Sequence, residues 1–252
     1  MIASLGMYDW AEIKAETDAL WHLTRDHLRT SGLNVPDDLT CGSDLWELWQ
    51  RPDLILGHTC GFPYRTALHP QVALVGTPDY GLRGAPPGYY YSLLIVRADA
   101  LGVWQDFVPQ RLAINAPDSQ SGWAAPQNLA AEHGLRFGRL VVTGEHLESA
   151  RAVAEGHADI GAIDAVTWRL IKRFRPEIAL ALKVIAHTEP TPGLPFITAR
   201  QEQAAIVAEA LGQAIAATAG APPGLRGLVF IPTETYLSVP TPPAPTAAEL
   251  TG

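Results

Sequence analysis

Cysteine is almost absent from this chain, with two residues in 252, Cys41 and Cys60. Neither lies in a CxxC pair, so zinc-knuckle and dithiol redox chemistry are excluded, and a disulfide between them is not expected. Basic residues are also scarce: 18 Lys and Arg stand against 26 Asp and Glu, a formal charge of −8. No basic run exceeds Lys172-Arg173, so nucleic acid is a poor partner. A small anion is not excluded by that balance, because nearby backbone amides outweigh a distant field. Long apolar runs are missing as well. The most apolar window, Ala204 to Leu225, is rich in Ala and broken by Glu209 and Gln213, which reads as a helix within a folded domain rather than a membrane span. There is no GxGxxG, Walker loop, GxSxG, HExxH or SxxK, and these absences weaken nucleotide, hydrolase and metalloprotease readings. No metal or cofactor is expected.

What is present is a composition of 47% hydrophobic and 17% charged residues, enough to bury one large core or two smaller lobes and too apolar for a disordered body. Along the chain the pattern is strand, loop, helix, repeated. Ile2–Leu5 reads as a strand, followed by a helix with Ile13, Leu20, Trp21, Thr24 and Leu28 on one stripe and Gly32 as its stop. Ser43 or Asp44 caps a short helix bearing Trp46 and Trp49, whose rings are expected in the core. Leu54–Leu56 and Val72–Val75 read as strands, and Tyr89 to Arg97 is strongly β-like. Three strand–loop–helix units occupy the middle. They begin with the strands Arg111–Asn115, Leu140–Val142 and Ala158–Ile163, and continue with helices over Trp123–His133, Leu147–Glu155 and Val166–Phe174. A strand at Leu182–Ala186, a helix over Ala199–Thr218 and a strand at Leu228–Ile231 complete the reading. Strands alternating with helices in this way predict mostly parallel sheets flanked by helices. Ligands of such sheets sit at the carboxyl ends of the strands.

Three of those strand ends carry chemistry. Ser119-Gln120-Ser121-Gly122 precedes a helix, where hydroxyls and first-turn amides form an anion site, or where one serine simply caps the helix. His146 follows Thr143-Gly144-Glu145 and either donates to an anion or is an exposed first-turn histidine. Asp164 ends the buried run Ile160–Ile163 and is either the cap of the next helix or a partner for a cationic group. Trp123 and Trp168 follow these loops and are candidate walls of a pocket. No base–nucleophile pair is visible.

The chain resembles the phosphate/phosphite/phosphonate branch of ABC-transporter periplasmic substrate-binding proteins. The resemblance rests on Pro52-Asp53-Leu54-Ile55-Leu56-Gly57 with Cys60-Gly61, on Tyr89-Tyr90-Tyr91-Ser92, on Ser119-Gln120-Ser121-Gly122, and on Thr143-Gly144-Glu145-His146 with Ser149 and the stretch Val153 to Asp159. It implies a two-lobed type II periplasmic-binding-protein fold with two hinge strands, near Tyr90–Leu93 and Ile185–Thr188. Lobe 1 would comprise residues 1–90 and 187–238, lobe 2 residues 91–186, and residues 239–252 a Pro-rich extended or disordered tail. By this likeness Ser119, Ser121 and His146 hold an anionic head with Gln120 as an added donor and Gly122 allowing close approach. Tyr8 and Tyr90 close over the ligand, Cys60 and Gly61 lie on a cleft loop, and Asp164 is the acid nearest to a ligand amine.

The function so implied is capture of a small anionic or zwitterionic solute, phosphonate-like, by a monomeric component of an uptake system with an ABC permease as partner. Two alternatives stay open: an enzyme on the same fold, similar to menaquinone-pathway lyases with His146 as base, and a ligand sensor. The amino terminus shows no charged n-region and no apolar stretch of secretory length. As written the chain is expected to be cytoplasmic, and as a trimmed mature form periplasmic.

Overall fold

The computed structural model describes residues 1–42, 44–218 and 223–251. The first strands are β1 (Ile2–Ser4), β2 (Leu54–His58) and β3 (Ala73–Asp79); β4 (Tyr89–Tyr90) and β5 (Ser92–Arg97) follow. The central strands are β6 (Arg111–Ile114), β7 (Arg139–Val142) and β8 (Ile160–Asp164). The last are β9 (Leu182–His187), β10 (Thr191–Pro192), β11 (Phe196–Thr198) and β12 (Gly227–Val229). The helices are α1 (Lys14–Thr30), α2 (Leu45–Trp49), α3 (Gly61–Pro63), α4 (Ala125–Glu132) and α5 (His146–Ala154). They continue with α6 (Ala165–Phe174), α7 (Pro176–Leu180), α8 (Ala204–Ala217) and α9 (Thr233–Leu237).

These elements fall into two units. The first comprises Met1–Tyr89 with Pro192–Ser238, and the second Tyr90–Thr191 with Val239–Gly252. The segments at which the chain passes from one unit to the other, β4 and β10, form a two-stranded sheet of their own.

The first unit is built on a five-stranded sheet in the order β1-β2-β11-β3-β12. Its long helix α1 buries Leu20, Trp21, Thr24 and Leu28, the stripe its spacing predicts, and ends before Gly32 at φ 84°. Beneath the sheet Trp49, Leu54, Tyr64, Leu68, Ile197, Ile231 and Tyr236 form one core cluster, with Trp46 packed against it. Asp44 caps α2 by accepting from the amides of Trp46 and Glu47; Ser43, the other candidate cap, lies outside the described residues. Strand β11 and helix α9 were not predicted. Both are short, and β11 is three residues long, too brief for periodicity to register against its Pro-rich surroundings.

The second unit carries a five-stranded sheet in the order β7-β6-β8-β5-β9. The three strand–loop–helix repeats supply β6, β7 and β8, which run parallel with Leu112 beside both Leu140 and Ile160. Both sheets are nonetheless mixed, where mostly parallel ones were expected. β5 runs antiparallel to β8 and β9, and β11 antiparallel to β2 and β3. The parallel rule applies to strands joined by a helical crossover. β5 and β11 flank the passages between units instead and run in the opposite direction, while β9, antiparallel to β5, runs the same way as β8.

The carboxyl-terminal tail belongs to the second unit. Residues 239–245 have no regular structure. Asn128 Nδ2 donates to the Pro240 carbonyl at 3.0 Å, and Arg136 Nε donates to Glu249 Oε1 at 2.9 Å. Among the described residues no helix is long and apolar enough to cross a membrane. Cys41 is exposed and Cys60 buried, and no disulfide joins them.

Candidate functional site

The order β7-β6-β8 sets three strand ends side by side in the second unit, and the loop residues singled out above stand on them. The β7 loop is bound to the end of β6, since the Thr143 and Gly144 amides donate to the Ile114 and Asn115 carbonyls at 2.9 and 3.0 Å. Thr143 Oγ1 also meets Ser149 Oγ at 2.6 Å, which fixes the first turn of α5. From β5, Ser92 lies opposite Asp164 in the sheet and its hydroxyl donates to the Ser121 carbonyl at 2.8 Å.

The helix after β6 begins earlier than predicted. A wide π-turn spans Gln120–Ala124 and runs directly into α4, so Ser121 and Gly122 are first-turn residues rather than loop. Ser119 is the cap: its hydroxyl accepts from the Gly122 amide at 2.9 Å. The Trp123 and Ala124 amides donate to the Ser119 carbonyl at 3.2 and 2.9 Å, and the positive end of the helix dipole points at whatever stands before the turn. Gly122 has a second reason to be glycine, because a Cβ there would lie 1.9 Å from Asn115 Oδ1.

His146, the first residue of α5, has its side chain 12% exposed. Its Nε2 lies 2.8 Å from Ser121 Oγ and 3.6 Å from Asp164 Oδ2. Of the two roles open to Asp164, the structure takes the cap: its Oδ1 accepts from the Val166 and Thr167 amides at 3.0 and 2.9 Å. We assign the imidazole proton to Nε2, the nitrogen that faces the Asp164 carboxylate. Nε2–H then donates to Ser121 Oγ, and the Ser121 hydroxyl keeps its own hydrogen to give to an oxyanion. Burial pushes the His146 pKa below its ordinary value, and the Asp164 carboxylate and the Ala162 carbonyl push against that. Both serine and aspartate address the same ring nitrogen. A nucleophile relay needs them on opposite nitrogens, with the acid orienting the base from Nδ1. The arrangement therefore holds a donor in place and does not activate Ser121.

Six predicted site residues thus come together in the second unit: Ser119, Gln120, Ser121, Gly122, His146 and Asp164. Ser119, Gln120, Ser121 and Asp164 are each at most 5% exposed. Tyr90 begins the same unit and is buried. Trp123 is buried with Arg136 stacked over its ring, which makes it a packing residue. Sequence reasoning missed Asn115 and the positioning roles of Ser92, Thr143 and Ser149. Asn115 Oδ1 is buried without a hydrogen-bond partner. A lone Asn at a strand end carries no pattern that would single it out.

Tyr8, Cys60 and Gly61 lie in the first unit. Tyr8 meets His58 and Tyr80 edge-on, with ring centroids 5.9 and 5.5 Å apart. His58 ends β2 and stacks on Phe196 at 4.5 Å. Full burial brings its pKa down to about 3, against a slight rise from the Leu194 carbonyl. Cys60 and Gly61 open α3, and Gly61 faces the ring of Tyr236. The Tyr236 hydroxyl donates to the Gly193 carbonyl at 3.0 Å and meets Thr77 Oγ1 at 2.6 Å. Among the described residues no group of three His, Cys, Asp or Glu side chains could hold a metal ion.

Residues 55–230 match the family described as ABC transporter, phosphonate, periplasmic substrate-binding protein. No curated protein matches the chain. Among solved structures, it is similar to PhnD1 from Prochlorococcus marinus (MIT 9301) in complex with methylphosphonate. The TM-score is 0.70 at 12% identity, over 90% of this chain and 91% of that one. It is also similar to XAC2383 from Xanthomonas citri bound to chloride ion, with a TM-score of 0.66 at 14% identity over 90% of each chain. A third is a binding protein component of an ABC phosphonate transporter from Pseudomonas aeruginosa. There the TM-score is 0.57 at 19% identity, over 76% of this chain and 66% of that one. The architecture these likenesses share is the two-lobed type II periplasmic-binding-protein fold.

Proposed function

Because the chain belongs to the family of phosphonate ABC-transporter periplasmic substrate-binding proteins, we propose that the anionic head of its solute is held on the serine turn of the second unit. The family consists of transporter binding proteins, not enzymes, and works by capturing a small solute for a permease. In the proposal, the first-turn amides around Gln120 and Ser121 and the hydroxyls of Ser119 and Ser121 surround the oxyanion. His146 fixes the Ser121 hydroxyl as a donor, and Gly122 keeps the turn open beside Asn115. Asp164 contributes through His146 and through its cap. Tyr90, which begins the same unit, is a further ligand contact in the proposal.

One observation carries this reading: three separate strand ends converge so that Ser121 Oγ and His146 Nε2 meet at 2.8 Å at the start of a helix whose dipole favours an anion. Neutral donors enclosed in a buried site suffice for such a ligand without a matching cation, since each hydrogen bond to a charged group contributes about 1.5–3 kcal/mol. A periplasmic mature form and a monomeric state are parts of the same proposal, checked by cell fractionation and by light scattering.

The test is a thermal-shift screen of the purified chain against methylphosphonate, inorganic phosphate, sulfonates and carboxylates, with mass analysis of each well. A ligand at a hundredfold excess over its Kd adds about 2.7 kcal/mol of stability. The reading expects stabilisation by methylphosphonate with the compound unchanged. No shift with any phosphonate, or consumption of the compound, overturns it.

A further inference from the structure

Asp164 is the acid that faces His146, and its oxygens are committed. Oδ1 accepts from two amides at the start of α6, at 3.0 Å from Val166 and 2.9 Å from Thr167. Oδ2 faces His146 Nε2 at 3.6 Å. The carboxylate is 2% exposed, and Ser92 lies opposite it in the sheet. A bound ammonium group taken out of water needs a carboxylate of its own, because an unpaired buried charge costs several kcal/mol. For Asp164 to serve, it would have to turn away from the helix cap or from His146. The first move exposes two amides of α6, and the second removes the group that assigns the His146 proton and so aims the Ser121 hydroxyl. The residues that follow it, Val166 and Trp168, are apolar and buried.

We propose that this site selects phosphonates whose organic substituent is uncharged, with Asp164 as a positioning residue for His146 rather than a partner for a ligand amine. The inference rests on the anion-binding reading above and adds the ligand's other half to it. The geometry that serves the oxyanion is the geometry that withholds the carboxylate from an amine. A zwitterionic aminophosphonate then loses the hydration of its ammonium and gains no carboxylate from Asp164 in return, whereas an alkyl group of equal length loses nothing polar.

The experiment is calorimetric titration of the full chain with two phosphonates of nearly equal shape, n-propylphosphonate and 2-aminoethylphosphonate, in the wild type and in Asp164→Asn. The proposal expects propylphosphonate to bind at least tenfold more tightly in the wild type. It also expects Asp164→Asn to weaken both ligands by the same factor, since the variant retains an acceptor for the cap. Tighter binding of 2-aminoethylphosphonate by the wild type, abolished in Asp164→Asn, overturns this inference and leaves the anion-binding reading standing. Failure of both phosphonates to bind the wild type overturns the two together. The wild-type pair decides the matter even if the variant folds poorly.

Discussion

A histidine ends a buried strand in the first unit and another, half-buried, opens a helix in the second, and the two differ in company. His146 in the second unit has Ser121, Asp164 and a helix start around it. His58 in the first has Phe196, Tyr8 and backbone. Burial lowers the pKa of both, yet only His146 has a carboxylate pushing back. Withdrawal from solvent therefore yields two different devices. His58 is an aromatic, uncharged packing element across the physiological range. His146 is a polar element with a serine hydroxyl and a carboxylate at its Nε2. Burial alone does not mark a functional histidine; the polar neighbours do.

The sharpest way to break that contrast is acid. His58 is held neutral in the fold, with its pKa down to about 3 from 6.5, so as pH falls through 6.5 the unfolded chain takes up the proton first. The stability tied to this group is complete above pH 6.5 and is lost progressively toward pH 3, by roughly 4–5 kcal/mol in all. His58→Phe is expected to flatten that decline in urea unfolding followed from pH 7 to pH 4. A parallel loss in wild type and variant would show that His58 is not held neutral.

On the other side of the comparison, Ser121→Ala removes the donor that His146 aims. It is expected to weaken methylphosphonate binding by about 1–3 kcal/mol while the free protein keeps its circular dichroism spectrum. Unchanged affinity would take Ser121 out of the site. Asp164→Ala should lower stability in thermal melts by about 1–2 kcal/mol, because two amides of α6 lose their cap. Asp164→Asn should recover most of that loss, and equal destabilisation by both would mean that charge, not capping, dominates. The smallest effect is expected at the tail. Glu249 is paired with Arg136 and accepts from the Thr246 amide, and these partners hold its pKa down at about 2. Arg136 is partly exposed, so Glu249→Gln should cost no more than about 1 kcal/mol. A larger loss would make the tail part of the second unit's core.

Much of the second unit was legible because its loops interrupt a clear β/α alternation. A serine pair, a histidine and an aspartate each followed a predicted strand, and parallel pairing of three strands then brought their ends together. The local geometry was not legible. The π-turn at Gln120–Ala124 places Ser121 inside the helix, and no propensity distinguishes a wide turn from an ordinary one. Asp164 offered two readings from sequence, and only the positions of the Val166 and Thr167 amides separate them. Asn115 became visible once the space beside Gly122 was known. In the first unit β11 escaped notice because three residues after a proline carry too little pattern, although that strand supplies the Phe196 ring that buries His58.

The account turns on an anion meeting the polar histidine and not the aromatic one. Imidazole resonances of His146 and His58 followed by ¹⁵N NMR during a methylphosphonate titration at pH 7 test this most directly. The account predicts saturable movement of the His146 ring toward the protonated form, absent in Ser121→Ala, with His58 unshifted. A saturating titration that leaves the His146 ring unmoved would contradict it.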